Sequence, residues 1–464
     1  MLLSRVSERT AGAQEQGGAR NAQQTLSRKA IVLALTSTLA LYALITVSLS
    51  LRTPAWENND EADHARYTEY VLSHHGLPAI SAANGIESHQ PPLYYVSLAA
   101  WQRVLGIHAF APSISLPSGP AVAATERINE VSHDYTPQQQ RDAVSLHAMR
   151  MLSVLFGGVT VAASFAIAWL LFSQLPLAVA VAATVASWPK FDVVAAAVSN
   201  EAMTTALISC SLWTLLLSLR RQTVAWSIAS GALAGAAVLT KFTALPIALL
   251  MLVCIGFIAA SRRNVLPAAS ALLAFVAVSG WWFIRNWALY GDPLADAASR
   301  AYLAHAVPGL IWPVSQLTPG VLAFGGDTLL RSVWYDGGWN QLQLPLALNV
   351  VLSVLAALCL IAAALTVRRR NMQVAQQTAL FLLATPIVGS VIAWLLILRE
   401  TTQAEGRYLL IAVSAWAIVL CAGSQWPVRR PLWLNRLSLA LWPALFCAID
   451  AYVFARWEIP FGGT

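Results

Sequence analysis

Long apolar runs without charged residues recur along the chain, and their lengths indicate its architecture. A helix that crosses a bilayer needs about 20 predominantly apolar residues. The first run is too long for the apolar part of a signal peptide, and no cleavage site follows it, so we interpret it as a retained helix. The runs predict about eleven membrane-spanning helices, at residues 30–51, 149–172, 175–190, 202–219, 224–240, 242–260, 265–288, 345–367, 378–398, 408–425 and 432–454. The predicted fold class is therefore an all-α polytopic membrane protein.

Composition and charge agree with this class. Of the 464 residues, 57% are hydrophobic and only 11% are charged. A net charge of +7 would suggest a nucleic-acid partner in a soluble protein, but here the basic residues lie in short loops between apolar runs, where they act as topology signals. All five cysteines lie inside apolar runs, so neither a disulfide framework nor a cysteine metal cluster is indicated. We expect membrane lipids as partners and no nucleic acid.

The distribution of arginines between the loops predicts the orientation in the membrane. With the N-terminus in the cytoplasm, 20 of the 22 acidic residues fall on the outer side, and the other two, Glu8 and Glu15, lie in the N-terminal tail. Four loops on the cytoplasmic side carry arginines and no acid, namely Arg220 and Arg221, Arg262 and Arg263, Arg368 to Arg370, and Arg429, Arg430 and Arg436. Since Lys and Arg concentrate on the cytoplasmic side of membrane proteins, the acid-rich side is predicted to be periplasmic.

One short apolar segment, residues 93–106, decides how the loops are divided. It contains Arg103 and has a single apolar face, so we expect a helix on the membrane surface; a span here would reverse every later loop. The predicted parts of the chain are a disordered cytoplasmic tail (1–29), a transmembrane domain (30–455) with a first outer loop (52–148) and a second large outer loop (289–344), and a short outer tail (456–464). No internal repeat of the kind found in transporters is evident.

The first outer loop carries an unusual cluster of ionisable residues in the stretch "NNDEADH". On a helix, Asp60 would lie beside His64 and Glu57 beside Glu61, each pair four residues apart. Crowded carboxylates shift one another's pKa and suit a general base or a divalent-ion site. The alternative is a solvated acidic loop. The spacing also echoes the HExxH motif of metalloproteases, but the first histidine of that motif is missing.

Cations on the predicted outer side complement these acids. Lys190, Lys241, Arg285 and Arg407 each lie near the outer end of an apolar run. Such side chains are suited to bind a lipid phosphate. Any one of them alone would more commonly be an anchor whose charged group reaches the membrane surface.

At these residues the sequence resembles the GT-C membrane glycosyltransferases. It is most similar to their bacterial branch, which contains protein O-mannosyltransferase-like proteins and lipid A aminoarabinose transferases. The resemblance covers most of residues 30–430. It rests on the Asp60-Glu61-x-x-His64 patch and on the segments "PPLYY", "RMLSVLFG", "LTKFTAL", "GWWFIRNWALYGDP", "SVWYDGGW" and "EGRYLL" in this order.

The resemblance implies sugar transfer at the outer face of a bacterial inner membrane, from a polyprenyl-phosphate-linked donor to a lipid, glycan or protein acceptor. Asp60, with Glu61 beside it, would be the catalytic carboxylate of an inverting reaction. The donor phosphate would be bound first by Arg407, then by Lys241, Arg285 or Lys190. Substrate contacts would come from His64, Glu87, His89, Gln90, Tyr94, Tyr95 and Glu405. Some relatives use a divalent metal ion, which Asp60, Glu61 and His64 would hold here, with no other cofactor.

The sequence departs from this family at one position and leaves other functions open. Relatives similar to the aminoarabinose transferases often carry a lysine just before the "PPL" segment, where this chain has Gln90. Either another cation contacts the phosphate or the donor differs. The alternative function is a transporter or flippase of a lipid-linked substrate, although the predicted spans are almost free of charge. A family member that serves only as an assembly partner is a third possibility.

Overall fold

A computed structural model describes most of the chain, and it is almost entirely helical. The described residues are 28–81, 84–108, 110, 112, 136–338, 340, 342–369, 374–425 and 432–455. The tail predicted at 456–464, nearly all of the one at 1–29, and part of the first outer loop lie outside these residues.

Sixteen α-helices and one small hairpin are found in the described part of the chain. The helices are α1 Arg28–Arg52, α2 Glu61–His74, α3 Leu93–Leu105, α4 Pro137–Phe172, α5 Leu175–Ala186, α6 Pro189–Ala195, α7 Asn200–Arg221, α8 Val224–Thr240, α9 Leu245–Ser261, α10 Leu266–Tyr290, α11 Asp296–Ala306, α12 Pro319–Ser332, α13 Leu346–Arg369, α14 Val374–Glu400, α15 Val413–Ser424 and α16 Leu432–Val453. Short 3₁₀ helices cover Ile86–His89, Phe242–Ala244 and Gly406–Ala412. Strands β1 (Asp336–Gly337) and β2 (Leu342–Gln343) pair antiparallel.

Each apolar run found in the sequence is helical, but the predicted count of eleven spans is not confirmed. Within the described residues, eight helices are long and apolar enough to cross a membrane. Helices α5 and α6 form a ninth candidate, bent by 60° at a short break. The break precedes Pro189, whose ring disfavours helical backbone at the residue before it. Two further apolar helices, at Val224–Thr240 and Leu437–Val453, are shorter.

Small residues allow the helices to pack closely. Helix α8 packs against α7 and α10. A Cβ atom at Gly231 would come within 1.9 Å of the Ala271 carbonyl oxygen, and one at Gly235 within 2.9 Å of the Phe275 carbonyl oxygen. Only glycine permits this approach, and its four-residue spacing places both positions on one face of α8.

The acidic residue and the arginine pair of helix α7 lie at opposite ends of the helix bundle. Helix α7 has Glu201 in its first turn and Arg220 and Arg221 in its last. A 22-residue helix is about 33 Å long at 1.5 Å per residue, so these groups lie a membrane thickness apart. The separation of acids from arginine pairs predicted from the sequence is thus present along α7, while the sidedness of the bundle stays a prediction.

Two local predictions for the first outer loop have different outcomes. The segment at 93–106 is helical, as predicted, and forms α3 with Tyr94 and Tyr95 buried and Val104 79% exposed. The predicted pairing of Glu57 with Glu61 along one helix is wrong, because α2 begins only at Glu61.

Candidate active site

A buried ion pair fixes the start of the first outer loop. The Arg150 guanidinium donates from Nε to Glu61 Oε1 and from Nη2 to Glu61 Oε2, both at 2.7 Å, and neither side chain is exposed. Its remaining N–H groups donate to the backbone carbonyls of Ser50, Thr53 and Pro54. This planar, bidentate geometry is specific to arginine. Arg150 therefore joins α4 to the end of α1 and to the start of α2.

The residue before Glu61 lies in a different environment. Asp60 precedes the first residue of α2 with left-handed backbone, at φ 62°, which Asp tolerates better than most residues. Its side chain is half-buried, and its Oδ2 accepts a hydrogen bond of 2.9 Å from Arg407 Nη1. Thus adjacent carboxylates pair with different arginines, and Asp60 is the more accessible one.

Arg407 is the centre of a larger buried charge cluster. Its Nε lies 2.9 Å from Glu405 Oε2 and 3.5 Å from Glu201 Oε1. The same Glu201 oxygen accepts a 2.6 Å hydrogen bond from Lys241 Nζ. These residues come from α7, from the turn after α8 and from the 3₁₀ helix at 406–412, so the cluster forms only when three distant segments fold together.

The hairpin contributes to the same region. Lys190, on α6, forms an ion pair with Asp336, on β1. Asn340 donates to Glu405 Oε1 at 2.8 Å and accepts from Asn59 Nδ2 at 2.8 Å. The hairpin is thereby connected both to the first outer loop and to the Arg407 cluster.

A second cluster of polar side chains lies around His64 and Tyr95. His64 Nδ1 is 3.0 Å from the Tyr95 hydroxyl, which donates to Glu87 Oε2 at 3.1 Å. The Tyr95 ring stacks on Tyr67 with ring centroids 3.7 Å apart. His64 and Tyr95 therefore connect α2 with α3.

The other predicted site residues are spread around these clusters. The side chain of Gln90 lies 3.0 Å from His89 Nε2. The buried hydroxyl groups of Tyr94 and Ser153 form a hydrogen bond of 3.1 Å. Arg285 lies apart from the Arg407 cluster: its guanidinium donates to the Pro78 carbonyl at 2.8 Å and lies over a tryptophan ring of α10.

The environment sets the protonation of the two clusters. Burial raises the pKa of Asp60, but the charges of Arg407 and His64 and the hydrogen bond from Arg407 outweigh it and hold the pKa below its usual value. Burial raises the pKa of Glu87, an effect that His64 opposes and Asp60 reinforces. Burial also lowers the pKa of His89. Asp60 is thus the ionised carboxylate at neutral pH, and a neutral form is favoured for His89.

The donor set at Asp60, Glu61 and His64 does not fit the predicted divalent ion. Both oxygens of Glu61 are occupied by Arg150, Oδ2 of Asp60 by Arg407, and Nδ1 of His64 faces a hydroxyl group. In the part of the chain that the structure describes, no group of three or more His, Cys, Asp or Glu side chains is placed to hold a metal ion. The predicted metal site is not confirmed.

Sequence reasoning missed residues that hold the site together. Arg150 lies within an apolar stretch, where a charged residue usually has a specific partner, and this signal alone could have singled it out. From the sequence, Glu201 is recognised only as a polar residue near the outer end of an apolar run, and Asp336 only as part of "SVWYDGGW"; the partners of both residues and of Asn340 could not be predicted, because they are far away in the sequence.

Comparisons with known proteins place this geometry in context. Residues 143–284 match the family model described as dolichyl-phosphate-mannose-protein mannosyltransferase. No curated protein matched the sequence.

Solved structures match over nearly the whole chain. ArnT from Cupriavidus metallidurans bound to undecaprenyl phosphate is similar with a TM-score of 0.54 and 14% identity, over 92% of this chain and 65% of that one. The same protein in the apo state is similar with a TM-score of 0.51 and 13% identity, over 92% of this chain and 69% of that one. The archaeal oligosaccharyltransferase AglB from Archaeoglobus fulgidus is also similar, in a structure with an inhibitory peptide and a dolichol-phosphate. Its TM-score is 0.50 and its identity 13%, over 92% of this chain and 56% of that one.

The extent of these matches determines what they establish. At such low identity, similarity shows the fold and not the activity. The chain spans less than two thirds of the length of the ArnT chain bound to undecaprenyl phosphate. The predicted fold is nevertheless confirmed: the chain has a fold like that of the GT-C membrane glycosyltransferases.

Proposed function

We propose that the protein is a membrane glycosyltransferase that moves a sugar from a polyprenyl-phosphate-linked donor to a lipid, glycan or protein acceptor, at the periplasmic face of a bacterial inner membrane. The fold and the partial match to a mannosyltransferase family support the general class. The observation that carries the proposal is the half-buried Asp60 carboxylate, 2.9 Å from Arg407 and next to a cluster of buried cations. It combines a candidate base with candidate phosphate ligands.

Asp60 acts as the general base of an inverting displacement. As the acceptor oxygen or nitrogen forms its bond to the anomeric carbon, its proton passes to Asp60. The bond between the anomeric carbon and the phosphate oxygen breaks, and the electron pair stays on the departing polyprenyl phosphate. Because the pKa of Asp60 is lowered, the carboxylate is ionised and ready to accept this proton.

The buried cations stabilise the departing phosphate. Arg407, Lys241 and Lys190 are each paired with carboxylates, so their charges are held in place before substrate arrives. Exchange of one carboxylate partner for a phosphate oxygen lets a fixed cation stabilise charge that develops in the transition state. Arg285 was a further candidate, but its hydrogen bond to the Pro78 carbonyl favours a structural role.

Glu61 acts as a positioning residue rather than as a second base. Its carboxylate is fully buried, both of its oxygens accept from Arg150, and Oε1 also accepts from the Val198 N–H at 3.0 Å. A carboxylate held in this way has no free oxygen for an acceptor proton. It fixes the backbone just after Asp60 and thereby the direction of the Asp60 side chain.

The pH dependence of transfer tests the coupling of Asp60 to Arg407. Because the pKa of Asp60 is lowered, the midpoint of the acid limb of kcat/KM should lie below the ordinary aspartate value of about 3.9. In Arg407→Gln, burial and the charge of Glu201 raise the pKa without the opposing guanidinium, so the acid limb should move to higher pH. The profile is measured over the range in which the protein stays folded. Arg399→Gln serves as a control at a half-exposed site. The same acid limb of kcat/KM in the wild type, Arg407→Gln and Arg399→Gln would contradict the coupling of Asp60 to Arg407.

Labelling of single cysteines tests the predicted orientation. In a background without the natural cysteines, Ser73→Cys on α2 and Arg221→Cys at the end of α7 introduce exposed thiols. A membrane-impermeant reagent added to the periplasmic side should label position 73 and leave position 221 unlabelled. Labelling of position 221 alone would show that the chain has the opposite orientation.

A transporter or flippase is the second candidate for a lipid-linked substrate. Transporters place ionisable residues near mid-membrane for coupling. In this protein the charge cluster lies at one end of the bundle and contains a half-buried carboxylate, which favours chemistry at the membrane boundary. The two functions are separated by the transfer measurement that closes the Discussion.

A further inference from the structure

Two aspartates are buried inside the helix bundle, outside the Arg407 cluster. Asp192, on α6, has no exposed surface, and Asp450, on α16, is only 7% exposed. Over the described residues, neither carboxylate forms an ion pair, and the Oδ2 atom of each has no hydrogen-bond partner. Because an unpaired charge in a protein interior is costly, two such oxygens indicate a bound group that the polypeptide itself does not supply.

The two carboxylates lie near each other. Helix α16 packs against α5 and α6, and the rings of Trp188 and Phe446 are in contact there, with their centroids 5.1 Å apart. Asp192 follows Trp188 by four residues, and Asp450 follows Phe446 by four, so each carboxylate lies one helical turn beyond a ring of this contact. The charge of Asp450 accordingly acts on Asp192.

The pair lies at the end of the bundle that holds the candidate active site. Arg52, the last residue of α1, lies over the ring of Phe454, 5.5 Å from its centroid, so the ends of α1 and α16 meet. Asp450 is one turn before Phe454. Asp192 is two residues after Lys190, which forms an ion pair with the hairpin. The pair is therefore connected through α6 to the candidate site.

In the part of the chain with a described structure, no cation offsets the charges of the pair. Asp192 Oδ1 accepts a hydrogen bond of 3.2 Å from the Thr46 hydroxyl of α1. The titratable side chains of α1 and α16 that interact with Asp192 are Tyr42 and Cys447, and both are neutral at neutral pH. Charged groups on the other elements that pack against α6 are already paired, namely Arg150 with Glu61, Glu201 with Lys241 and Arg407, and Asp336 with Lys190.

A proton accounts for the unpaired oxygens better than a metal ion does. Two carboxylates that share an apolar site cannot both stay ionised, so at least one of them keeps a proton. The retained proton also supplies a donor where the structure has only acceptors. Hard metal ions take about six oxygen ligands, whereas the described side chains at this site offer two carboxylates and one hydroxyl group.

We propose that Asp192 and Asp450 form a proton-binding site, in which the two carboxyl groups hold at least one proton and thereby join α6 to α16. The site is separate from Asp60 and does not depend on the proposed function. Release of the proton would leave two like charges near each other and would weaken the contact between the two helices.

Infrared spectroscopy tests the proton directly, because a protonated carboxyl group has a C=O stretching band that an ionised carboxylate lacks. Spectra of purified protein are recorded at neutral pH in a detergent without ester groups. We expect the double variant Asp192→Asn with Asp450→Asn to lose acid-band intensity equivalent to at least one carboxyl group per chain. Asp327→Asn is the matched control: this exposed carboxylate pairs with Arg331 and is ionised, so its replacement should leave the acid band unchanged.

The single variants Asp192→Asn and Asp450→Asn cover the case in which the double variant fails to fold. An amide has the shape of a neutral carboxyl group, and each substitution replaces one member of an interacting pair. Each should therefore shift the acid band or lower its intensity. An acid band identical to that of the wild type in the double variant, or in both single variants, would overturn the proposal.

A metal ion at the same site is the competing outcome. Thermal unfolding of the wild type and of a folded Asn variant is followed in sodium chloride, magnesium chloride and choline chloride at equal ionic strength. We expect the same response to the three salts in both proteins. Stabilisation of the wild type by sodium or magnesium that the variant lacks would show that a metal ion occupies the pair, and would overturn the proposal. None of these measurements uses sugar transfer, so failure of the proposed function would leave them unaffected.

Discussion

Asp60→Asn is expected to lower the rate of sugar transfer by a factor of about 10²–10⁴, the range typical for loss of a general base. The amide keeps the size of the side chain and an oxygen that can accept from Arg407, so the cluster should stay intact. What is lost is the ability to accept a proton from the acceptor. Transfer is measured with radiolabelled donor and membrane acceptors, and inhibition by sugar-free polyprenyl phosphate is measured in parallel.

The binding measurement separates a chemical effect from a structural one. Removing a negative charge next to the cations should leave the affinity for polyprenyl phosphate unchanged or higher. Asp63→Asn is the matched control: it lies three residues further along, on the first turn of α2, and its carboxylate pairs with Arg66. We expect this control to keep activity within about twofold of the wild type. Full activity of Asp60→Asn would refute the assignment of the base.

Arg150→Met is expected to lower the free energy of unfolding by about 3–5 kcal/mol, because it leaves the Glu61 carboxylate buried without its partner. The substitution also removes three hydrogen bonds to the backbone at the end of α1. Glu61→Gln should have a smaller effect of the same sign, since the amide keeps an acceptor oxygen. Stability is measured by denaturant unfolding in detergent.

A double variant shows whether the pair acts through its charge. Arg150→Met combined with Glu61→Met should recover part of the loss, because the uncompensated charge is removed together with its partner. The pair of Asp63 with the exposed Arg66 provides the comparison: Arg66→Met should lower the free energy of unfolding by only about 0–1 kcal/mol. If Arg150→Met were as stable as the wild type, the buried pair would not be what holds the first outer loop.

These two predictions distinguish neighbouring residues that the sequence treats alike. From the sequence, Asp60 and Glu61 are adjacent acids in one cluster, and both were predicted to be catalytic. The different roles proposed for them depend on backbone geometry, since α2 begins between them and their side chains contact different arginines. That geometry depends on Arg150, 89 residues from Glu61, and on Arg407, 347 residues from Asp60.

The fold was more predictable than the site, for a physical reason. The length of an apolar run and the side on which arginines lie are local properties of the chain, and each predicted run is helical. The break between α5 and α6 was the main exception, although Pro189 marks it. Partners within the site are set by the packing of distant helices. The sequence therefore indicated which residues are unusual, such as Lys241 and Arg407, and not that both would meet at Glu201.

The most direct test of the central claim is a transfer assay with purified protein. Wild type and Asp60→Asn are incubated with a panel of radiolabelled polyprenyl-phosphate sugars and membrane acceptors, and the same preparations are tested for movement of lipid-linked sugar across liposomes. The proposed function predicts transfer of sugar from at least one donor by the wild type and its loss in the variant. No transfer from any donor, together with movement of the lipid-linked sugar across the bilayer, would contradict it.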